Sequence, residues 1–347
     1  MIEIDGAQKS GSGTLVRVAA ALCSLTGQPM HMVRIRWKRA KQGLRPQHLV
    51  ALRACARISS GKLEGAEVGS GEIFYYPGDK IGTGDFEWDI GTAGSATMLA
   101  CALIPLGLFA RARTRFRIRG GLFQDHAPTA FHTEMVLLPL LEQMGAKIDM
   151  KIMRPGYVPK GQGELELSVQ PAKTPLRAFE KTLRQDIRKI DGISLASHLE
   201  GQLVARRMAE RGRELLEQRG FIPEIDINED ASAVQSGAAL LLRAESEDGC
   251  VLGFDMAGKR GRSSESIAEK VVKGLLVDLA TGATVDRFAS DQLIPFAGLA
   301  DGQSRYVAPR ITEHIESNLW LIEKILKCGT KVEGNLICID GIGFFRK

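Results

Sequence analysis

The sequence predicts an α+β protein: three related units, each with two helices on a four-stranded sheet, form a large domain into which a smaller α+β module is inserted. Three observations lead there. A glycine-rich turn opens an amphipathic helix twice, at Ser10-Gly-Ser-Gly13 and at Gly91-Thr-Ala-Gly-Ser95, and each time a second helical segment follows. Segments of strand character, such as Met30–Trp37 and Thr114–Ile118, lie between the two helices of a pair. The stretch from about Arg184 to Thr284 breaks this rhythm and has a strand and helix order of its own. The large domain is accordingly expected over residues 1–183 and 285–347, and the module over 184–284.

In the first unit, Leu15, Val18, Ala19, Leu22 and Leu25 share one helical face. The second helix begins at Pro46, a residue suited to a first turn, and carries Leu49, Leu52 and Ala56. In the second unit an apolar helix runs to about Leu108, and another starts near Pro128 and passes Leu141. The third pair, Asp291 to Leu299 and Thr312 to Leu326, has a weaker glycine signal. No sequence block repeats, so the likeness is one of pattern. Within the module the expected order is strand (Ile187–Leu195), long helix (Ser197–Arg219), strand (Phe221–Ile227), two more strands (Ala238–Ala244, Cys250–Met256) and helix (Ser264–Leu279). The long helix carries Arg206, Arg207, Arg211 and Arg213.

At 347 residues, 44% hydrophobic and 25% charged, the chain has an ordinary composition and length for a sizeable core. No run approaches the roughly 18 apolar residues of a membrane span, and Met1-Ile-Glu-Ile-Asp5 has neither a basic leader nor an apolar core, so a cytoplasmic protein with no membrane partner is expected. The six cysteines lack CxxC spacing and the six histidines lack HExxH spacing, which predicts neither a disulfide framework nor a zinc site. The net charge of +5 is mild, but its distribution is not. Arg34, Arg36, Lys38, Arg39, Lys41 and Arg45 fall close together, and Arg111, Arg113, Arg115, Arg117 and Arg119 occupy every second position. Period two puts the latter set on one face of a strand, either as a row of guanidiniums along a phosphate backbone or as a solvated sheet face, which alternation alone slightly favours.

Two features carry chemistry. The loop Asp5-Gly-Ala-Gln-Lys-Ser-Gly-Ser-Gly13 sits between a strand and a helix, where free amides and the helix dipole hold an anion, although a tight turn explains the glycines equally well. His314 lies at the start of a helix, whose positive end favours a neutral, nucleophilic imidazole and a phosphate beside it. A histidine there is also a common capping or packing residue.

Taken in order, the motifs resemble those of the RNA 3′-terminal phosphate cyclase family along nearly the whole chain. They are Asp5-Gly-Ala-Gln8 with Gly11, Gly13 and Arg17; Arg39-Ala-Lys-Gln-Gly-Leu-Arg-Pro-Gln-His48; Gly91-Thr-Ala-Gly-Ser95; Arg119-Gly-Gly121 with Ala127-Pro128; Gly156-Tyr-Val-Pro-Lys-Gly161; Ser290-Asp-Gln-Leu293; and His314 with Ser317-Asn318. The resemblance implies three repeats with an inserted module, ATP and a divalent metal (Mg or Mn) as cofactors, an RNA with a 3′-phosphate end as partner, and room for a homodimer. It implies that His314 takes up AMP, that AMP passes to the RNA 3′-phosphate, and that the 2′-hydroxyl closes a 2′,3′-cyclic phosphate. By the same resemblance Phe288, Ala289, Ser290, Asp291, Gln292 and Cys101 bind the nucleotide, and Arg17, Arg36, Arg39, Gln47 and His48 bind the RNA end.

The sequence departs from the family at chemical positions. Ser10 stands where the family usually has a metal-binding carboxylate, and Cys101 where it has a nucleotide-binding glutamine. Leu122 and Gln162 replace the third residue of Gly-Gly-Thr and the middle of a glycine triplet. No metal ligand is therefore assigned; Glu313, Glu316 and Asp125 are the candidates to replace the missing carboxylate. The alternative is a non-catalytic cyclase-like RNA-binding factor of ribosomal RNA processing or ribosome assembly. An enolpyruvyl transferase, which shares the β-α repeat style, is disfavoured by the histidine motif.

Overall fold

The computed structural model describes residues 1–346 and contains four four-stranded sheets. The first unit runs β1 (Ile2–Asp5), α1 (Gly13–Thr26), β2 (Met30–Val33), α2 (Pro46–Ser59), β3 (Lys62–Glu64) and β4 (Ile73–Tyr76). Its sheet order is β1-β2-β4-β3, with β1 and β2 parallel and the other neighbours antiparallel. The second runs β5 (Gly84–Asp89), α3 (Ala96–Leu108), β6 (Thr114–Gly120), α4 (Ala130–His132), a π turn over Thr133–Leu137, α5 (Leu138–Gln143), β7 (Lys147–Arg154) and β8 (Gly163–Gln170). Its order, β5-β6-β8-β7, has the same parallel first pair and antiparallel remainder.

The third unit opens with β9 (Glu180–Lys181), which the module then separates from its partners. The module comprises β10 (Ile187–Ser197), α6 (Val204–Glu217), β11 (Glu224–Asp230), β12 (Gly237–Ser246), β13 (Val251–Ala257) and α7 (Ser264–Ala280), in sheet order β11-β10-β12-β13. The third unit resumes with α8 (Ala289–Gln292), α9 (Ile294–Leu299), β14 (Asp301–Val307), α10 (Glu313–Ile325), β15 (Gly329–Glu333) and β16 (Leu336–Ile342). Its order, β15-β16-β14-β9, is again the same connectivity: first strand parallel to second, then an antiparallel hairpin. A βαβ step makes a parallel neighbour and a short hairpin an antiparallel one, so a shared element order gives a shared sheet.

One apolar core runs through the three units, and a second lies between the module's sheet and α6 and α7. Strand β12 shows how they meet. Ala238, Leu240, Leu242 and Ala244 face the module's helices, while Ala239 and Leu241 belong to the large core, joined there by Leu195, Val251 and Ala257. A sheet buried on both faces explains the unbroken apolar run of β12. The module is thus wedged into the large domain rather than standing apart.

Several boundaries differ from expectation. The strand expected over Met30–Trp37 stops at Val33, because Arg34 and Arg36 take left-handed φ values of 50° and 56°. The helix expected from Ser197 starts at Val204, since β10 continues through Ser197 and Leu203 is left-handed. The alternating arginines of β6 form a solvated face: Arg115, Arg117 and Arg119 stand directly opposite Asp85, Glu87 and Asp89 of β5. Glu164 and Glu166 of β8 flank them on the other side. On α6, Arg207 pairs with Glu265 and Arg211 with Glu214 and Glu269, Arg213 donates to the Ile225 carbonyl, and Arg206 has no ion pair among the described residues. All six cysteines are free thiols, and no described helix is long and apolar enough to cross a membrane.

Candidate active site

Short polar contacts join α1, α2, α3, α8 and α10 into a ring at their ends. Ser95, the N-cap of α3, donates its amide to Gln47 Oε1 of α2 at 2.8 Å. The His48 ring of α2 lies against Gly13 at the start of α1, where a Cβ would sit 2.0 Å from His48 Nε2; only glycine admits the ring. Thr14 Oγ1 of α1 is 3.4 Å from His314 Nδ1 of α10. Asn318 of α10 donates to the Asp291 carbonyl of α8 at 2.7 Å, and the Cys101 thiol of α3 reaches Gln292 Oε1 at 3.7 Å, which closes the ring. The first glycine loop is fixed to α10 as well: Ser10 N–H donates to Ser317 Oγ at 3.1 Å, and the two hydroxyls are 2.7 Å apart.

Charge within this ring is strongly positive and poorly neutralised. Arg17 is buried (7% exposed) yet makes no hydrogen bond or ion pair among the described residues. Burial pushes its pKa down to about 10, with Cys101 and Asp291 resisting and Arg36 adding to the fall, so it remains a cation at neutral pH. His48 accepts the Arg45 N–H on Nδ1 at 3.2 Å, which leaves its proton on Nε2, facing Gly13. Burial, then Arg17, Arg36 and Arg45, drive its pKa down to about 2, so this imidazole is neutral. Asp291 is pushed up to about 7, first by burial and then by Asp286, against the pull of Arg17. Burial pushes the Cys101 thiol up to about 12.

His314 is half-buried in the first turn of α10, whose N-cap is Thr312. Burial, then Arg39 and Arg17, hold its pKa below the ordinary histidine range, while Glu313 opposes them. A neutral ring that donates from Nδ1 to Thr14 Oγ1 leaves the Nε2 lone pair free to attack. Arg39 donates to the Ser10 carbonyl at 3.4 Å, and Arg36 to the Lys41 and Gly43 carbonyls, so both guanidiniums are fixed near the loop without a carboxylate partner.

The carboxylates expected to stand in for Ser10 are placed otherwise. Asp125 is held by Arg262 at 3.1 and 3.2 Å, and Glu313 and Glu316 point to solvent. Among the described residues no group of three or more His, Cys, Asp or Glu side chains is arranged to hold a metal. The residues around Ser10 are hydroxyls and cations, which do not fit a protein-held divalent ion.

Sequence reasoning passed over His132. In the folded chain its Nε2 lies 3.2 and 3.1 Å from the two oxygens of Asp286, both side chains wholly buried. Burial opposes charge on His132, but Asp286, helped by Asp255 and Asp291, raises its pKa on balance, and the same pairing holds Asp286 down. Asp286 also accepts the amides of Phe288 (2.7 Å), Ala289 (2.8 Å) and, in β13, Gly253 (2.9 Å). The pair therefore anchors the start of the segment Phe288–Gln292 to both the second unit and the module. Phe288 stands edge-on to the His132 ring at 5.5 Å.

Fold and site together define an α+β protein of three like-connected units with a neutral histidine set among helix ends and unpaired arginines. The profile described as RNA 3′-terminal phosphate cyclase matches residues 8–332. The chain is 36% identical over 339 residues to the "RNA 3′-terminal phosphate cyclase" of Pyrococcus furiosus, covering 97% of this chain and 96% of that one. It is 36% identical to the protein of that name from Archaeoglobus fulgidus (98% and 100% covered) and 33% to that from Pyrobaculum aerophilum (99% of each). The chain belongs to the RNA 3′-terminal phosphate cyclase family. A solved enolpyruvyl transferase, NikO from Streptomyces tendae, matches over 98% of this chain and 81% of its own with TM-score 0.25 and 10% identity, a likeness too slight to bear on activity.

Proposed function

We propose that the protein is an ATP-dependent RNA 3′-terminal phosphate cyclase that works through a histidine-AMP intermediate at His314. The observation that carries this is the neutral imidazole of His314, oriented by Thr14 and flanked by Arg17 and Arg39. Nε2 attacks the α-phosphorus of ATP, forming a P–N bond as diphosphate leaves. An oxygen of the RNA 3′-phosphate then attacks the same phosphorus, the P–N bond breaks, and AMP moves to the RNA end. The 2′-hydroxyl loses its proton and attacks the 3′-phosphorus, which releases AMP and leaves the 2′,3′-cyclic phosphate.

On this reading Phe288–Gln292 and Cys101 receive the nucleotide, and Arg17, Arg36, Arg39, Gln47 and His48 receive the RNA phosphate. Fixed cations are what developing phosphoryl charge requires, because they need no reorganisation during reaction. Magnesium or manganese would then arrive with the triphosphate and neutralise its charge, since no described cluster of His, Cys, Asp or Glu is arranged to hold it. The enzyme would act in the cytoplasm, and sedimentation velocity reads whether it pairs with a second copy.

The test is to incubate the protein with α-labelled ATP and a divalent metal, denature it, and look for label that is acid-labile and alkali-stable. Label on the wild type but absent from His314→Ala is expected. No label under several metals, with folding and RNA binding intact, would favour a non-catalytic RNA-binding factor, for which the serine at position 10 is the supporting observation.

A further inference from the structure

The loop between β2 and α2 presents an exposed indole among cations. Trp37 is 55% exposed. Its backbone is fixed on both sides: Trp37 N–H donates to the Arg34 carbonyl at 3.2 Å, and Gln42 Nε2 donates to the Trp37 carbonyl at 3.0 Å. The next two residues fasten the loop to the glycine loop beside His314. The stem of Lys38 packs on Gly11, where a Cβ would lie 2.9 Å from Lys38 Cβ, and its ammonium donates to the Lys9 carbonyl at 2.7 Å. Arg39 donates to the Ser10 carbonyl.

A single exposed apolar side chain is ordinary on a protein surface. What distinguishes Trp37 is its surroundings. Arg34 is paired with Asp5, but Arg36, Lys38, Arg39 and Lys41 have no carboxylate partner among the described residues. By contrast, the arginines of β6 and two of those on α6 are matched with acids, as at Arg117, Arg119, Arg207 and Arg211. An exposed indole on an anchored backbone, with uncompensated cations on either side, fits a single-stranded polyanion that carries flat aromatic groups, since stacking supplies affinity and the cations track the backbone.

We propose that Trp37 is a stacking platform for a nucleobase close to the 3′ end of the RNA, with Lys38 and Lys41 on the adjoining phosphates. This rests on the assignment of the RNA end to the Arg39–His314 face. Every base has a π face, so the contact favours RNA of any sequence.

Binding of a 3′-phosphorylated oligoribonucleotide to the full chain, read by fluorescence anisotropy, tests it. The oligonucleotides carry an abasic residue at each of the last four positions in turn, and the variants are Trp37→Ala and Trp37→Phe, checked for unchanged melting temperature. Expected is a loss of about ten- to a hundredfold in affinity for Trp37→Ala and near recovery for Trp37→Phe. One abasic position should weaken the wild type by a similar factor and have no further effect on Trp37→Ala. Wild-type affinity in Trp37→Ala, or an equal additional loss at every abasic position, would overturn the inference. Labelling of the wild type by α-labelled ATP separates the two assignments. Label without Trp37 coupling defeats the platform and leaves the cyclase mechanism standing; coupling without label does the reverse.

Discussion

The arginine row of β6 and the cations of the Arg34–Arg45 loop are both dense basic runs, yet the fold treats them in opposite ways. On β6, each arginine faces an acid on β5 in register and another on β8, so the strand's charge is cancelled where it arises. In the loop, left-handed residues at Arg34 and Arg36 end the strand, and Arg36, Lys38 and Arg39 bond to backbone carbonyls instead of carboxylates. A carbonyl orients a cation without neutralising it. Basic density alone therefore says little about function; the location of the matching acids decides it.

That difference can be sharpened by experiment. The largest effect is expected at Arg17, the buried cation with no partner: Arg17→Ala should slow labelling of His314 by about a hundred- to a thousandfold, the usual cost of losing a fixed donor to developing charge. Arg117→Ala should leave the labelling rate as it was. Next come Lys38→Ala and Lys41→Ala, each of which should lower the slope of log affinity for RNA against log salt by about 0.7, while Arg117→Ala leaves the slope unchanged. An equal fall for Arg117→Ala would break the comparison.

The pH dependence carries the same contrast. Burial and the uncancelled charge of Arg39 and Arg17 hold His314 below 6.5, so the imidazole stays unprotonated to lower pH than an ordinary histidine. The acid limb of the labelling rate should accordingly fall below pH 6.5 in the wild type and move upward in Arg39→Ala. His48 adds a stability term: in the unfolded chain it takes up a proton near pH 6.5, but in the folded chain only near 2. Its contribution is thus complete above pH 6.5 and declines as the pH falls from there towards 2. His48→Gln should flatten that part of the denaturation midpoint against pH. The smallest effect is expected for stability in Arg117→Ala, within about 1 kcal/mol by urea denaturation, because Arg117 itself and its partner Glu87 are exposed.

Much of this was legible in the sequence because it depends on local pattern. Helices after glycine turns, the apolar run of β12 and the motif order all survive translation into the fold, although α1 and α3 are buried on nearly every side rather than on one face. The place of His314 at a helix start was readable too, since an N-cap is local, but its lowered pKa comes from burial and from Arg39 and Arg17, which are distant in sequence. The acids opposite the β6 row also left a trace, for Asp85, Glu87 and Asp89 alternate with the same period as the arginines they face. What could not be read depends on contacts across long separations. Asp125 lies in a plausible loop but is engaged by Arg262, and His132 meets Asp286 from a different unit. Neither partner has a sequence neighbour that announces it. The loop after β2 departs from the expected strand because β propensity extends through Ile35 and Trp37, whereas the backbone turns left-handed at Arg34 and Arg36.

Asp286 has a mechanical meaning beyond its charge. Its two oxygens grip a strand of the inserted module, the turn that opens Phe288–Gln292 and a histidine from the second unit. Three pieces of chain distant in sequence are riveted at one carboxylate. Through the Gly253 amide the module's sheet braces that turn, so the insertion forms part of the frame that holds the site.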